Sequence, residues 1–314
     1  EALGMTLIAS LAYLLSNKSG SFLNSIPILG ALAFGAQRML PIFQLIYSSL
    51  TILAGNNTSM RDVLEILDQP LSTKRNNIKD LSFVDKIELN KINFSYNSGG
   101  PKILSDLNFT IKKGSKIGII GATGSGKSTI LDIIMSLLTP SSGELFVDGN
   151  PINSNNFTAW QKNISHVPQN IFLSDATIEE NIGFGVLPNN INQDRVIWAA
   201  KQAHIDKIIN SWPKGYKTIV GERGKRLSGG QRQRIGISRA LYRNTKILIF
   251  DEATSALDND TELKIIKSIE NLQPDMTVII VAHRLTSLKN CDLIFEIDKG
   301  TIKKFGSYKE IIGV

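Results

Sequence analysis

Nine consecutive residues have the types and the spacing needed to bind a polyphosphate. Their glycines allow the backbone to wrap around phosphate groups with its N–H groups pointing inward. A short apolar strand pattern at 116–120 precedes them and a helix pattern at 130–138 follows, so a helix N-terminus adds positive potential. Their glycine spacing is not that of a dinucleotide fingerprint, so we expect a nucleoside triphosphate. The nine residues are Gly121, Ala122, Thr123, Gly124, Ser125, Gly126, Lys127, Ser128 and Thr129.

Four side chains in two segments have the chemistry for phosphate transfer. The Lys127 amine can reach the β- and γ-phosphates, and the Ser128 hydroxyl can bind Mg²⁺. Asp251 and Glu252 follow a buried strand pattern at 246–250, where an α/β sheet places its ligand chemistry. We expect Asp251 to hold Mg²⁺ and Glu252 to orient and deprotonate the attacking water. Alone, an Asp-Glu pair after a strand equally describes a helix cap; beside a phosphate loop it predicts hydrolysis.

A second segment with the features of a phosphate site lies between these two motifs. Residues 227–231 read Leu-Ser-Gly-Gly-Gln and precede a helix pattern at 235–241. Ser228 is a good helix N-cap, and Gly229 and Gly230 leave backbone N–H groups open to an anion. This segment resembles the signature motif of ATP-binding cassette (ABC) proteins. The resemblance implies that Ser228, Gly229, Gly230 and Gln231 complete the nucleotide site formed by the phosphate loop of another domain.

The resemblance covers residues 83–314 and implies roles for further residues. Tyr96 resembles the aromatic residue that stacks on adenine, and its offset before the phosphate loop favours this role over that of a core aromatic of a strand. Gln169 resembles the Q-loop glutamine, near Mg²⁺ and the attacking water. Asp258 ends a segment, 255–258, that resembles the D-loop, which crosses to the partner domain. His283 resembles the switch histidine near the γ-phosphate, whereas His166 and His204 are expected to have no chemical role. Lys127, Gln169, Glu252 and His283 form the implied catalytic set.

Strand and helix patterns alternate from the phosphate loop to the end of the chain, and an alternating strand pattern at 87–96 precedes it. These patterns predict an α/β core with an antiparallel portion at its N-terminal edge. The resemblance implies a P-loop NTPase fold of the ABC type. That fold has a mixed core sheet with helices, an antiparallel β subdomain and a helical signature subdomain, here preceded by transmembrane helices.

Charge divides the chain of 314 residues into unequal parts. Only Glu1, Lys18 and Arg38 are charged among the first 60 residues, whereas the rest holds 60 of the 63 charged side chains. The net charge of +7 comes from scattered Lys and Arg with no basic block, so we expect no nucleic-acid partner. The single cysteine, Cys291, is typical of a reducing compartment.

The uncharged part predicts membrane helices. Residues 3–15 are apolar and short, as expected for the end of one transmembrane helix, and we expect residues 17–21 to form a turn. Residues 22–54, interrupted by Pro27 and Pro41, predict a long last helix. A separate amphipathic helix is expected at 58–68, capped by Ser59, with a polar linker to 82. The predicted parts are therefore 1–57, 58–82 and 83–314, and we expect further membrane helices before residue 1.

Arg38 is an ionisable residue inside the predicted last membrane helix. Such residues face a bundle interior or a water-filled cavity, which favours a place on a substrate pathway. A position at the membrane interface, with the side chain reaching the lipid headgroups, fits equally well.

The fusion of membrane helices to one nucleotide domain resembles an exporter half-transporter, and residues 220–224 resemble the X-loop of exporters. We therefore expect a multi-pass protein of the cell membrane with its nucleotide domain in the cytoplasm. It would use ATP and Mg²⁺ and pair head to tail with a second copy or a paralogous half-transporter. The substrate stays open among lipid, lipid-linked saccharide, peptide and amphiphile. The alternatives are a soluble ABC-type ATPase that acts on nucleic acid or ribosomes, and an importer subunit.

Overall fold

The computed structural model describes residues 2–18, 26–69, 81–97, 99–253, 258–272, 275–282 and 285–312. The chain divides into two units, 1–76 and 77–314. The predicted boundaries at 57 and 82 remain predictions. Residues 255–257, Pro70, the linker at 71–80 and His283 lie outside the described residues.

The described residues of the first unit form two helices, α1 (Ala2–Lys18) and α2 (Ile26–Leu67). With 42 residues, α2 is roughly 63 Å long, and by length and composition it can cross a membrane. None of its residues is buried. Pro27 lies in its first turn, where a missing N–H costs nothing, and Pro41 is accommodated inside it.

The prediction of a separate helix at 58–68 was wrong. Ser59 lies inside α2 and does not cap a helix, because α2 continues through Gly55, Asn56 and Asn57 without a break. These three residues weaken a helix by at most about 1 kcal/mol each, which is too little to stop one. Asn17 and Lys18 of the predicted turn at 17–21 belong to α1 instead, and residues 19–21 lie outside the described residues.

The second unit contains a four-stranded antiparallel sheet and a six-stranded sheet. The antiparallel sheet has the order β2-β1-β4-β5, and the larger sheet has the order β10-β9-β3-β8-β7-β6, in which only β10 is antiparallel to its neighbour. This arrangement confirms the α/β core with an antiparallel portion. The strands are β1 (Lys86–Phe94), β2 (Leu104–Lys112), β3 (Lys116–Gly121), β4 (Ser142–Val147), β5 (Asn150–Pro151), β6 (Ile164–Val167), β7 (Ile247–Asp251), β8 (Thr277–Val281), β9 (Leu293–Asp298) and β10 (Thr301–Gly306).

Helices cover the larger sheet on both faces, so its strands read as continuous apolar runs. Ile247 and Ile249 of β7 pack into one core together with α3, while Leu248 and Phe250 pack into a second core together with α8 and α9. The helices are α3 (Lys127–Ile134), α4 (Phe157–Gln161), α5 (Ile178–Ile182), α6 (Gln193–Gln202), α7 (Asp206–Ser211), α8 (Gly229–Tyr242), α9 (Asn259–Leu272) and α10 (Tyr308–Ile312).

The helix after the phosphate loop is shorter than the sequence pattern predicts. It ends at Ile134 because Ser136 adopts a left-handed backbone conformation, with φ of 53°. The buried Trp160 donates its indole N–H to the carbonyl of Ile134 at 2.7 Å. This bond satisfies one of the free carbonyl groups at the helix end and fixes α3 against α4.

Candidate functional site

The phosphate loop joins β3 to α3 through glycines that the surrounding backbone requires. Gly126 caps α3 with φ of 103° and without a side-chain hydrogen bond, so the first N–H groups of α3 are available to a ligand. A Cβ at Gly126 would lie 2.8 Å from a methyl group of Leu104, and one at Gly121 would lie 2.3 Å from the carbonyl of Ile297. The loop is therefore held in one shape by the strands on either side.

The ammonium group of Lys127 is held inside this loop. Lys127 is 6% exposed, and its Nζ donates to the carbonyls of Gly121 and Ala122 at 2.9 Å each. A buried ammonium needs such acceptors, and phosphate oxygens are stronger ones than carbonyls. The Lys127 side chain thus already lies within the phosphate loop, where a bound phosphate would be.

Ser128 at the start of α3 and Asp251 at the end of β7 lie close enough for the Ser128 hydroxyl to lower the pKa of the Asp251 carboxyl. Burial raises the pKa of Asp251 above its ordinary value and the charge of Glu252 adds to this, while Lys127 and Ser128 act in the opposite direction. A carboxylate and a hydroxyl at one point fit Mg²⁺, which takes one or two protein oxygens together with substrate phosphates. The described residues contain no cluster of three or more His, Cys, Asp or Glu side chains suited to a metal.

Glu252 and Gln169 form a second contact beside the first. Nε2 of Gln169, just after β6, donates to Oε2 of Glu252 at 2.8 Å. Glu252 follows β7 in a left-handed conformation, with φ of 50°, and its N–H donates to the carbonyl of Val281 at 3.0 Å. Left-handed backbone is unfavourable for a non-glycine residue and concentrates at functional positions. Here it turns Glu252 out of the strand towards Gln169.

The signature segment begins α8 as predicted. Ser228 caps the helix by accepting from the N–H of Gln231 at 3.2 Å, and the Gln231 side chain accepts from the N–H of Ser228 at 2.9 Å. Ser228 is exposed, and Gly229 and Gly230 are half-buried. Among the described residues, the Ser228 and Gln231 side chains bond to no residue of the phosphate loop.

Tyr96 and Asp258 lie at the edges of the site. Tyr96 is 63% exposed; its ring packs edge to face on Phe94 at 5.0 Å, and its hydroxyl lies 3.4 Å from Oγ1 of Thr129. Most of its ring is thus open to stacking rather than packed in the core. Asp258 accepts from the N–H and the hydroxyl of Thr261 at 2.8 Å, and these bonds hold the pKa of Asp258 below its ordinary value.

The structure also brings in residues that the sequence patterns did not single out. Arg239 of α8 donates to the carbonyls of Asn181 and Phe172 at 2.8 and 2.9 Å, which ties the signature helix to the segment after Gln169. Burial lowers the pKa of Arg239 to about 10. The sequence feature that could have indicated this role is an arginine within the otherwise apolar helix pattern at 235–241. Gly300 is the second residue that the sequence patterns did not single out. Its N–H donates to the carbonyl of Ser125, in the phosphate loop, at 3.0 Å.

Comparisons with known proteins place the chain in one family. Residues 104–255 match the ABC transporter family. The chain is 39% identical over 286 residues to ABC transporter B family member 13 of Arabidopsis thaliana, which covers 91% of this chain and 21% of that protein. It is 38% identical over 250 residues to the ATP-dependent lipid A-core flippase of Saccharophagus degradans, which covers 80% of this chain and 42% of the relative.

A solved structure gives the same result. The fold is similar, with a TM-score of 0.76 and 32% identity, to a bacterial Atm1-family ABC exporter with ATP bound, over 93% of this chain and 50% of that one. The chain thus spans half or less of the length of each of these proteins. Its phosphate loop, its Asp251–Glu252 pair and its capped signature helix all lie on the fold that this exporter shares. The chain belongs to the ABC transporter family, and the residues that match the family model lie within its second unit, 77–314.

Proposed function

We propose that this protein couples ATP hydrolysis to the export or flipping of a substrate across a membrane. The observation that carries the proposal is the convergence of Ser128 with Asp251, and of Gln169 with Glu252, beside a loop that stores the Lys127 ammonium. These contacts put a metal-binding pair, a candidate base and a phosphate-binding cation at one edge of one sheet. This is the set of groups that phosphoryl transfer to water needs.

Each residue has a defined task in this proposal. Lys127 leaves its two carbonyl acceptors for the β- and γ-phosphates, and the free N–H groups of α3 bind the phosphate oxygens. Glu252 takes the proton from the attacking water, and the Gln169 amide orients both the carboxylate and the water. Ser128 and Asp251 would hold Mg²⁺, which would supply neutralisation of the phosphate charge. His283 contacts the γ-phosphate, and Tyr96 stacks on the adenine.

A second copy of the chain, or a paralogous half-transporter, completes the site. The capped end of α8 is exposed through Ser228 and presents the N–H groups of Gly229 and Gly230, and in the described part of the chain its capping side chains bond to no phosphate loop. Bound triphosphate draws two such domains together head to tail, and Asp258 crosses to the partner. Hydrolysis removes part of this attraction, because a ligand biases an equilibrium only by its differential affinity for the two states.

The membrane part of the proposal depends on α2. This helix is long and apolar enough to cross a bilayer and has no buried residue, which favours an integral membrane protein over a soluble ATPase. We place the ATP-binding domain in the cytoplasm. The lipid A-core flippase among the relatives favours a lipid or a lipid-linked saccharide as the cargo. In this arrangement, Arg38 would attract an anionic group of that cargo.

The main test is the Glu252→Gln variant of the full chain in lipid nanodiscs. Removal of the base should lower the rate of ATP hydrolysis by about 10²–10⁴-fold, leave ATP binding intact and accumulate a closed dimer. The measurements are phosphate release, nucleotide affinity and mass by light scattering. Glu144→Gln, at an exposed carboxylate of β4, is the matched control. Normal turnover of Glu252→Gln would remove this residue from the role of base.

The cargo requires a separate measurement. ATP hydrolysis by the protein in nanodiscs should rise when its substrate is added, so a panel of lipids, lipid-linked saccharides and peptides is compared. Arg38→Ala should reduce the stimulation by an anionic cargo while leaving basal hydrolysis unchanged. Equal stimulation of Arg38→Ala and the wild-type chain would favour the interfacial position of Arg38.

A further inference from the structure

A buried carboxylate lies outside the contacts described above. Glu262 is in the first turn of α9 and is 2% exposed. Acidic residues in a first turn usually stay in solvent, where they still gain from the helix dipole. Glu262 instead turns inward, and its Oε1 accepts from the hydroxyl of Ser287 at 2.5 Å. Ser287 is 5% exposed. Removing a carboxylate from water costs free energy unless it is hydrogen-bonded, so the bond from Ser287 stabilises the buried Glu262.

The two partners lie on segments that lead to the nucleotide. On one side, the N–H of Glu262 donates to the carbonyl of Asp258 at 3.0 Å, so the buried carboxylate is one helical turn from the D-loop aspartate. On the other side, Ser287 belongs to the 3-10 turn Leu285–Leu288, which begins two residues after His283. The bond therefore connects the D-loop helix directly to the turn that follows the switch histidine.

Both segments are also anchored by apolar contacts. Ile265 and Ile269 of α9 are buried in the core beneath the sheet. Leu288 is fully buried, and a Cβ at Gly118 of β3 would lie 3.1 Å from its Cδ2 atom. Apolar packing holds the two segments near each other but tolerates small shifts in register. A short hydrogen bond to a carboxylate is directional, and so it fixes their relative position.

We propose that Glu262 and Ser287 are a positioning pair that makes the D-loop helix and the switch segment move as one body. The proposal rests on the function proposed above, in which both segments reach ATP at the interface between two copies. Neither residue touches the nucleotide. When the two domains close, their bond sets the position of Asp258, which reaches the partner, relative to the turn Leu285–Leu288, which follows His283 in the sequence.

The first test separates binding from turnover in the full chain in nanodiscs. Ser287→Ala should lower kcat for ATP hydrolysis about 10-fold, with KM for ATP changed less than about 2-fold. Ser287→Thr keeps the hydroxyl and should restore kcat to within about 2-fold, and Ser287→Cys, a weak donor, should lie between them. Thr286→Ala, at an exposed hydroxyl of the same turn, is the matched control.

The second test does not depend on hydrolysis. Amide hydrogen exchange of the nucleotide-free chain should become faster at 258–262 in Ser287→Ala, although the substitution lies 25 residues away in sequence. Thr286→Ala and Ser287→Thr should leave exchange at 258–262 unchanged. The change at the other end of the bond is a direct sign that the two segments are coupled.

The outcomes distinguish this inference from the proposed function. Unchanged exchange at 258–262 in Ser287→Ala overturns the pairing, whatever the chain hydrolyses. Equal loss of kcat in Ser287→Thr and Ser287→Ala also overturns it, because the hydroxyl would then be irrelevant. A wild-type chain that does not hydrolyse Mg-ATP refutes the proposed function, while the exchange result still decides whether the pair couples the segments.

Discussion

The N-termini of α3 and α8 both point unsatisfied N–H groups at an expected phosphate, but they are built in opposite ways. At α3 the cap is a glycine, Gly126, with no side-chain bond, and Lys127 is 6% exposed and held by carbonyls of its own loop. At α8 an exposed Ser228 and Gln231 cap each other's backbone. The first end is enclosed by its own chain, whereas the second is finished on its own and faces outward.

This difference indicates that the two helix ends have different roles in binding ATP. The end of α3 has few acceptable residue types, because neighbouring strands fill the space around Gly121 and Gly126 and fix the loop before ligand arrives. The end of α8 is stable without ligand, since its capping box satisfies two N–H groups internally. We therefore expect α3 to determine whether one chain binds ATP, and α8 to determine whether two chains share it.

The largest predicted effect concerns mixed dimers. Lys127→Ala should abolish ATP binding at its own loop, and Ser228→Arg should leave ATP binding intact but block the partner's site, so each variant alone should be inactive. A one-to-one mixture contains dimers with one intact composite site, so hydrolysis should recover to about a quarter of the wild-type rate. Phosphate release from co-reconstituted chains measures this.

The control mixture combines Lys127→Ala with Glu252→Gln, which both act on the α3 side of the site. Every composite site in that mixture carries a defect, so no recovery is expected. Recovery there, or its absence in the first mixture, would contradict the assignment of α3 and α8 to different chains.

The second effect concerns the packing around α3. Gly124 and Gly126 both have positive φ, but a Cβ at Gly124 meets nothing within 4 Å, whereas one at Gly126 lies 2.8 Å from Leu104. Gly124→Ala should cost about 1–2 kcal/mol of unfolding free energy, and Gly126→Ala about 1–3 kcal/mol more. All three tryptophans lie within 77–314, so their fluorescence in denaturant reports this unit. Equal losses would show that the loop is not set by its neighbours.

The third effect is smaller and concerns the cap of α8. Ser228→Ala should cost about 1 kcal/mol of unfolding free energy, because one N–H of the first turn loses its acceptor. Ser228→Asp keeps an acceptor and should retain the stability of the wild-type domain. Its negative charge should nevertheless weaken the ATP-dependent dimer, which light scattering measures. Loss of stability in both variants would mean that the hydroxyl, rather than capping, matters.

The smallest effect concerns how the stability of the domain depends on pH, through Asp251 and Asp258. Because the pKa of Asp251 is raised by burial, its ionised form is unfavourable in the folded chain, and stability falls as pH rises from its ordinary pKa through the raised one. Asp251→Asn should therefore stabilise the nucleotide-free domain at neutral pH, with the gain fading as pH falls. Asp258→Asn should have the opposite sign, since the pKa of Asp258 is lowered. Thermal unfolding from pH 7 to pH 3 measures both, since the contribution of the Asp258 carboxylate is lost only as pH falls below its ordinary pKa of 3.8.

The sequence predicts those parts of the site whose structure depends on residues close together in the chain. Strand β3, the glycines of the loop, the capping role of Ser228 and the strand before Asp251 all follow from short patterns that the structure confirms. The family prediction is confirmed by the comparisons. The roles of Tyr96, Gln169 and His283 in catalysis or binding remain predictions.

What the sequence does not predict depends on distant partners. The continuity of α2 through Ser59 was missed, because Gly55, Asn56 and Asn57 are weak helix formers that local pattern treats as a break. Arg239, Glu262 and Gly300 were missed, because each acts through residues at least 25 positions away that no spacing rule connects.

The pairing of β3 has a consequence for the synthesis of the protein. The strand that leads into the phosphate loop lies between β8 and β9, which are encoded more than 150 residues later, and Gly300 contacts the loop from still further along the chain. A nascent chain that has emerged only as far as the Asp251–Glu252 pair therefore has every motif of the active site except the D-loop and the switch segment, yet its phosphate strand has neither neighbour. Nucleotide capture should thus begin only after residues 293–300 have left the ribosome and joined the sheet beside the phosphate strand.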